Sequence, residues 1–441
     1  MRLKLFAYQL VSLITKPKMP ETKNIKTLML KVDPKSISFS KNAHITGEEP
    51  LISDSTTREN LLKAAKLLAS TSETVAFPTE TVYGLGGSSL NDEAVKNIYK
   101  AKNRPSDNPL ISHVSSIKQI DEVIYGVTHD AANPLKNIPK NYHPLINKLW
   151  PGPLTILLPI KLNTLDKNVR KEAKLSKLTT GKQKTFAVRL PSNNVARALI
   201  HFANTPVAAP SANTSTKPSP TSAKHVYFDL KDKTSIILDG GDCSIGVEST
   251  VIDCVTDADK ILLLRPGGFT KEDVEKIVDR EVVVECVLKK ENESVRTPGM
   301  KYKHYAPSCK VVLFSPDKKD INAVLKEMQL RIDIEREYIE ANKKPTDEKS
   351  NTGLKIGVLG YKYLKDLEIG VLKLEDKDRI LIKSLGDDLK QMQKNIFKEL
   401  RELDDVEHID LLFIEGVDEE NEGLAIMNRL SKSAGSDIVK F

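Results

Sequence analysis

The chain has 441 residues, 39% hydrophobic and 29% charged, which fits two or three globular domains and excludes a wholly disordered or fibrous chain. Its formal charge of +7 is unevenly placed: residues 1–54 carry 9 basic and 5 acidic side chains, residues 55–309 carry 35 and 27, and residues 310–441 carry 23 and 28. A basic middle over an acidic end suits an anionic ligand or partner for the middle, with a lysine-rich solvated surface as the plainer reading, and an aromatic content of 5% argues against a surface built to stack on bases.

Residues 1–54 read as a basic extension with little periodicity. Arg2, Lys4, Lys16 and Lys18 precede the first acid, Glu21. A basic, acid-free start around an apolar stretch resembles a mitochondrial transit peptide, with a plain extension as the alternative. Met19 offers a second start and a cytosolic form. No stretch reaches the roughly 18 continuous apolar residues a membrane span needs.

From Thr56 the pattern becomes regular. Leu61, Leu62, Ala65 and Leu68 fall at helical spacing. Thr74–Pro78 reads as a short buried strand, followed by a turn-rich Gly84-Leu85-Gly86-Gly87. A helix is expected over Asp92–Lys100 with Asn91 as its N-cap. Strands are expected at Leu154–Leu158, Thr185–Arg189, Ile236–Leu238 and Thr250–Ile252, and loops over 126–144 and 161–184. This is the pattern of an α/β domain on one large twisted sheet, placed at 55–284. Residues 285–309 read as an ordered linker, its part Arg296–Pro307 basic and turn-forming. A smaller Rossmann-like α/β domain is expected over 310–441. It comprises a strand at Val311–Phe314, a helix from about Ile321, and an exposed loop at 341–353. A strand at Ile356–Leu359, one long helix at 379–403, a strand at Leu411–Ile414 and a final helix at 424–433 complete it. Gly357-Val358-Leu359-Gly360 lacks the G-x-G-x-x-G spacing, so no nucleotide site is assigned there.

Chemistry is concentrated between Pro78 and Pro307, in dense polar motifs near strand ends: Pro78-Thr79-Glu80-Thr81-Val82-Tyr83-Gly84, Lys102-Asn103-Arg104-Pro105, Asn108-Pro109-Leu110, Trp150-Pro151-Gly152-Pro153, Ala209-Pro210-Ser211-Ala212-Asn213, Pro218-Ser219-Pro220-Thr221, Gly246-Val247-Glu248-Ser249-Thr250, Leu264-Arg265-Pro266-Gly267-Gly268 and Pro298-Gly299-Met300-Lys301-Tyr302-Lys303-His304-Tyr305. Singly each is weak. Lys102 and Arg104 are either exposed helix-end cations or, as a point charge beside a fork, a pair suited to a polyphosphate. Ser211 and Asn213 form a turn or donate to phosphate or ribose. His113 after an apolar pair reads most simply as a core histidine, and Ser249 as polar strand surface. There is no Walker A sequence, no zinc-type His/Cys grouping and no G-x-S-x-G elbow. Cys243, Cys254, Cys286 and Cys309 are irregularly spaced, which excludes a zinc ribbon, a redox pair and a disulfide framework, and points to a reducing compartment.

Taken together and in this order, the motifs resemble the YrdC family of L-threonylcarbamoyladenylate synthases in its long two-domain form. The resemblance covers nearly all of 56–309 and, more loosely, the C-terminal region, where Gly423-Leu424-Ala425-Ile426-Met427-Asn428-Arg429 carries it. It implies that L-threonine, bicarbonate or CO2, and ATP are joined into threonylcarbamoyl-AMP and pyrophosphate. The product would pass to a tRNA threonylcarbamoyltransferase complex for N6-threonylcarbamoyladenosine formation in ANN-decoding tRNAs. By the same resemblance Thr81, His113, Arg189, Ala209 and Ser249 line a threonine pocket. Arg104, Asn108, Thr185, Ser211, Asn213, Ser219, Arg265 and Tyr302 hold ATP or the adenylate, and Lys102, Arg104 and Arg265 stabilise charge on the phosphates. Mg2+ enters with ATP and few protein ligands, no zinc is needed, and the linker around Tyr302 closes over the nucleotide. The implied location is the cytoplasm, with mitochondria as an added address. Two other readings compete: a noncatalytic RNA-binding module, which intact Lys102, Arg104, Ser211 and Asn213 disfavour, and a hydrogenase-maturation carbamoyltransferase, which would need zinc-finger cysteine pairs.

Overall fold

The computed structural model describes residues 25–106, 108–162, 172–257, 259–285, 304–317, 320–342 and 353–441. Tyr302, the linker turns before His304 and residues 1–18, read above as a targeting segment, lie outside them. The first domain contains strands β1 (Leu28–Lys31), β2 (Ile37–Ser38), β3 (Leu51–Ile52), β4 (Val75–Phe77), β5 (Gly84–Ser88), β6 (Ile111–His113), β7 (Leu154–Pro159), β8 (Thr185–Arg189), β9 (Val207–Ala208), β10 (Ile236–Asp239), β11 (Thr250–Asp253), β12 (Ile261–Arg265) and β13 (Val282–Val284). All but β2 and β3, which pair with each other, form one mixed sheet of eleven strands in the order β1-β10-β4-β5-β9-β6-β8-β7-β11-β12-β13.

Both faces of this sheet are covered, and strand residues alternate between two apolar layers. Val75, Phe77, Ile236 and Leu238 pack under helices α1 (Ser55–Ser70) and α3 (Asn194–Ala203), with Leu61, Leu68 and Leu199. Ala76, Leu85 and Ile237 face α2 (Asp92–Lys102) and α4 (Ala223–Leu230), with Val95, Ile98 and Val226. The Asn91 side chain caps α2 by accepting from Glu93 and Ala94 N–H. A third layer of Ile, Leu, Tyr and Trp150 side chains fills the sheet's other half.

Three expectations change. Residues 28–31 are not part of an extension: β1 pairs in parallel with β10 and completes the sheet's edge. The glycine run 84–87 is strand, since Gly86 lies so close to Phe77 and Val207 that an added Cβ would meet each at 2.7 Å. The expected loop 126–144 contains a short helical turn at Lys140–Tyr142 that leads into a helix at His143–Leu149, whose Leu145 and Ile146 are core.

The second domain is a parallel sheet in the order β16-β15-β17-β14-β18, with β14 at Lys310–Ser315, β15 at Lys355–Gly360, β16 at Arg379–Ser384, β17 at Leu411–Glu415 and β18 at Ile438–Lys440. Its main helices are α5 (Ile321–Ala341), α6 (Leu389–Arg401) and α7 (Glu422–Ala434). The expected long helix 379–403 is thus a strand, a turn and a helix. Ser384-Leu385-Gly386-Asp387-Asp388 breaks it, and Asp388 caps α6 through Gln391 N–H. Among the described residues no helix is long and apolar enough to cross a membrane.

The domains share a core. Val82, Val247 and Tyr305 pack with Met392, Phe397, Leu400, Ile426 and Leu430. Gly246 has φ +89°, and an added Cβ would stand 2.4 Å from the Lys394 carbonyl oxygen, so α6 approaches this loop to backbone contact.

Candidate active site

Strand register brings the site together. The pairings Val251–Arg265, Val251–Thr155, Thr155–Arg189 and Arg189–His113 form one row across β12, β11, β7, β8 and β6. Register partners share a sheet face. This row borders a cavity of about 750 Å3, counted with its solvent-open part. The β4–β5 loop adds Thr79, Thr81 and Val82, the end of α2 adds Lys102 and Arg104, the loop after β9 adds Ala209 to Asn213, and His304 and Tyr305 close the side nearest the second domain.

On one wall Arg189 donates through Nη1 to Thr81 Oγ1 at 2.9 Å and through Nη2 to Glu80 Oε1 at 2.6 Å. Thr81 Oγ1 also lies 2.7 Å from Thr79 Oγ1. His113 is buried with its ring edge-on to Phe77. Burial, then the nearby Arg189 cation, pushes its pKa down to about 3, so the ring is neutral near pH 7. The Ala209 N–H already donates to the Ile111 carbonyl. Ser249 Oγ lies 2.8 Å from Thr155 Oγ1 and accepts from Arg265 Nη2 at 3.0 Å.

Three cations, Lys102, Arg104 and Arg265, also line the cavity. Lys102 is only 2% exposed. Its Nζ donates to the carbonyls of Ser211 and Asn213 and, at 3.4 Å, to Asn213 Oδ1. Burial and the neighbouring Arg104 charge drive its pKa well down, while three oxygen acceptors favour the ammonium. Arg265 grips Ser249 O through Nε and Nη2 at 3.0 and 2.9 Å; burial lowers its pKa to about 10, which leaves it cationic. Gly267 makes this grip possible, because an added Cβ would meet the Glu248 carbonyl oxygen at 2.3 Å.

Of the residues expected at the site, Thr81, Lys102, Arg104, His113, Arg189, Ala209, Ser211, Asn213, Ser249 and Arg265 line this one cavity. Three do not. Thr185 begins β8 while Arg189 ends it, roughly 13 Å apart at about 3.3 Å per residue, so it belongs to the sheet's other edge. Asn108 is buried behind the wall, its carbonyl accepting from the Tyr99 hydroxyl. Ser219 sits one layer back, donating to Glu248 Oε1 at 2.7 Å. Glu80 and Glu248, not singled out from the sequence, prove to be the carboxylates that orient Arg189 and face Arg265. Their presence inside Pro78–Gly84 and Gly246–Thr250 was the available signal. Among the described residues no group of three or more His, Cys, Asp or Glu side chains could hold a metal.

A family model described as "Telomere recombination", covering the Sua5, YciO and YrdC proteins, matches residues 52–267. One described as "Threonylcarbamoyl-AMP synthase, C-terminal domain" matches 269–435. The chain is 42% identical over 430 residues to a threonylcarbamoyl-AMP synthase of Schizosaccharomyces pombe, spanning 93% of this chain and 98% of that one. It is 38% identical to the Pyrococcus abyssi protein of the same name, over 83% of this chain and 92% of that one. The crystal structure of P. abyssi Sua5 complexed with L-threonine superposes with a TM-score of 0.69 at 36% identity, covering 94% of this chain and 99% of that one.

Proposed function

Because the chain belongs to the two-domain family of threonylcarbamoyl-AMP synthases, we propose that its cavity joins L-threonine, bicarbonate or CO2, and ATP into threonylcarbamoyl-AMP. The observation that carries this reading is the cavity that Thr81, His113, Arg189 and Ser249 line together with Lys102, Arg104 and Arg265. The first set suits an amino acid with a hydroxyl and a carboxylate; the second suits a polyphosphate.

The neutral threonine amine adds to CO2, loses a proton and becomes a carbamate. A carbamate oxygen then attacks the α-phosphorus in line, the bond to the bridging oxygen breaks, and pyrophosphate leaves with that electron pair. Charge grows on phosphoryl oxygens, so the protein's work is positioning and electrostatic stabilisation. Arg104 and Arg265 supply fixed cations, and Lys102 braces the Ser211–Asn213 loop against the phosphates. His113, neutral and buried, accepts or donates one hydrogen bond without adding charge. The lining contains one carboxylate, Glu248, already engaged by Arg429 and Ser219. A donor set this poor fits Mg2+ held by ATP and its own waters, where it offsets phosphate charge.

The product serves as carbamoyl donor to a tRNA-modifying partner. Threonine-dependent pyrophosphate release from ATP with labelled bicarbonate tests the reading: labelled threonylcarbamoyl-AMP is expected, Arg104→Ala should lose about a hundredfold in rate, and absence of release by the wild-type chain would sink it. The irregular cysteines support a cytoplasmic location, and the basic start of the chain supports a mitochondrial share. A reporter fused to residues 1–18 should reach mitochondria, and a wholly cytosolic reporter removes that address.

A further inference from the structure

One strongly placed cation is unused by this account, and it comes from the second domain. Arg429 lies in mid-α7 with no exposure to solvent. Its Nε and Nη2 donate to Glu248 Oε2 at 3.1 and 2.9 Å, and its Nη1 donates to the Pro266 carbonyl. Glu248 precedes Ser249 and Pro266 follows Arg265, so both acceptors sit in loops that wall the cavity. The other Glu248 oxygen accepts from Ser219. One guanidinium from a helix of the second domain therefore ties together two segments of the first and, through Glu248, a third.

The charge matters as much as the ties. Burial opposes ionisation of Glu248, yet Arg429, Arg265 and the Ser219 hydrogen bond together hold its pKa down to about 2. The carboxylate lines the cavity. Without Arg429 it would carry a poorly compensated negative charge beside a polyphosphate, in a dry wall where repulsion is weakly screened. A lysine could supply the charge but not the fork that reaches Glu248 and Pro266 at once.

We propose that Arg429 is a positioning residue for nucleotide binding, which neutralises Glu248 and fixes the Arg265 loop from the second domain. The inference takes only the identity of the nucleotide from the synthase reading. Arg429 touches none of Thr81, His113 or Arg189 and reaches the threonine side through Ser249, which follows Glu248 and is held by Arg265, so its effect should fall on ATP more than on threonine.

The test is calorimetric titration of the full chain with ATP, in the absence of threonine and bicarbonate so that no turnover is required, with threonine titrated in parallel. R429A should weaken ATP binding about tenfold or more and change threonine binding by less than about threefold. R429K should recover part of the loss. The double variant R429A/E248Q should recover most of it, because an amide has no charge to repel phosphate; a merely structural role would show no such rescue. Wild-type ATP affinity in R429A, equal losses for ATP and threonine, or a double variant as weak as R429A would each overturn the proposal. If R429A does not fold, R429K decides alone: about threefold weaker ATP binding supports it, and unchanged binding overturns it. A wild type that binds ATP but releases no pyrophosphate would sink the synthase reading and leave the affinities to judge Arg429.

Discussion

His113 shows how burial sets what a residue can do. Its sequence context favoured a core histidine, and the resemblance favoured a threonine contact; the structure has a buried ring that packs on Phe77 and lines the cavity. Since burial and Arg189 push its pKa to about 3, it stays neutral as pH rises from 5.5 to 8.5. Threonine affinity over that range should show no one-proton step near 6.5; a step there that disappears in His113→Asn would contradict this account. Lys102 shows the limit of reading residues one at a time. Its pairing with Arg104 at a helix end could be read from the sequence. That its ammonium would be surrounded by Ser211 and Asn213 oxygens could not, because those lie 109 and 111 residues away. Thr185, at the start of β8, lies outside the lining of this cavity while Arg189 at its end lies within it; a strand pattern does not say which end meets the site.

Elements with clean periodicity were legible, and those decided by tertiary contact were not. α1, α2 and strands β4, β7, β8, β10 and β11 follow from apolar spacing and caps, whereas the short β6 and β9 at the centre of the sheet do not. β16 was absorbed into the expected helix because Ile380, Leu381 and Ile382 carry no period of two, being half-buried on a sheet edge. β5 was missed because glycine reads as turn until Phe77 and Val207 are seen against it. The loop after β15 has a cause equally invisible in sequence. The Glu415 carboxylate, at the end of β17, accepts from the backbone N–H groups of Tyr361, Lys362, Tyr363 and Leu364 at 2.8–3.0 Å. An internal acid fills the nest that such a loop could otherwise offer to a phosphate, consistent with the missing glycine fingerprint. Glu415→Ala should orphan these donors and lower stability by about 2–4 kcal/mol, read by chemical denaturation; a loss below about 1 kcal/mol would show that water replaces the carboxylate.

At the scale of the whole molecule the two domains are joined by buried charge as well as by the Phe397–Tyr305 ring contact. Arg401, 1% exposed, donates to the Pro218 carbonyl and to Asp229 of the first domain, and to Asp405 of its own. Arg401→Ala leaves the Asp229 carboxylate with the more distant Lys217, at 3.8 Å, and the Thr214 N–H as partners and should cost about 3 kcal/mol, measured by denaturation of the full chain. Adding Asp229→Asn should return part of that, and strict additivity of the two losses would argue against a direct pair. The opening charge asymmetry acquires a concrete basis here: the acidic second domain contributes its few buried arginines where the first domain's carboxylates need them. There is also a consequence in time. Glu248 leaves the ribosome 181 residues before Arg429, and Asp229 leaves it 172 residues before Arg401. At about 5–20 residues per second, that interval lasts roughly 9–36 s. A premature stop between β13 and α7 therefore releases a chain with all the strands of the catalytic sheet but without the arginine that balances Glu248 in its cleft.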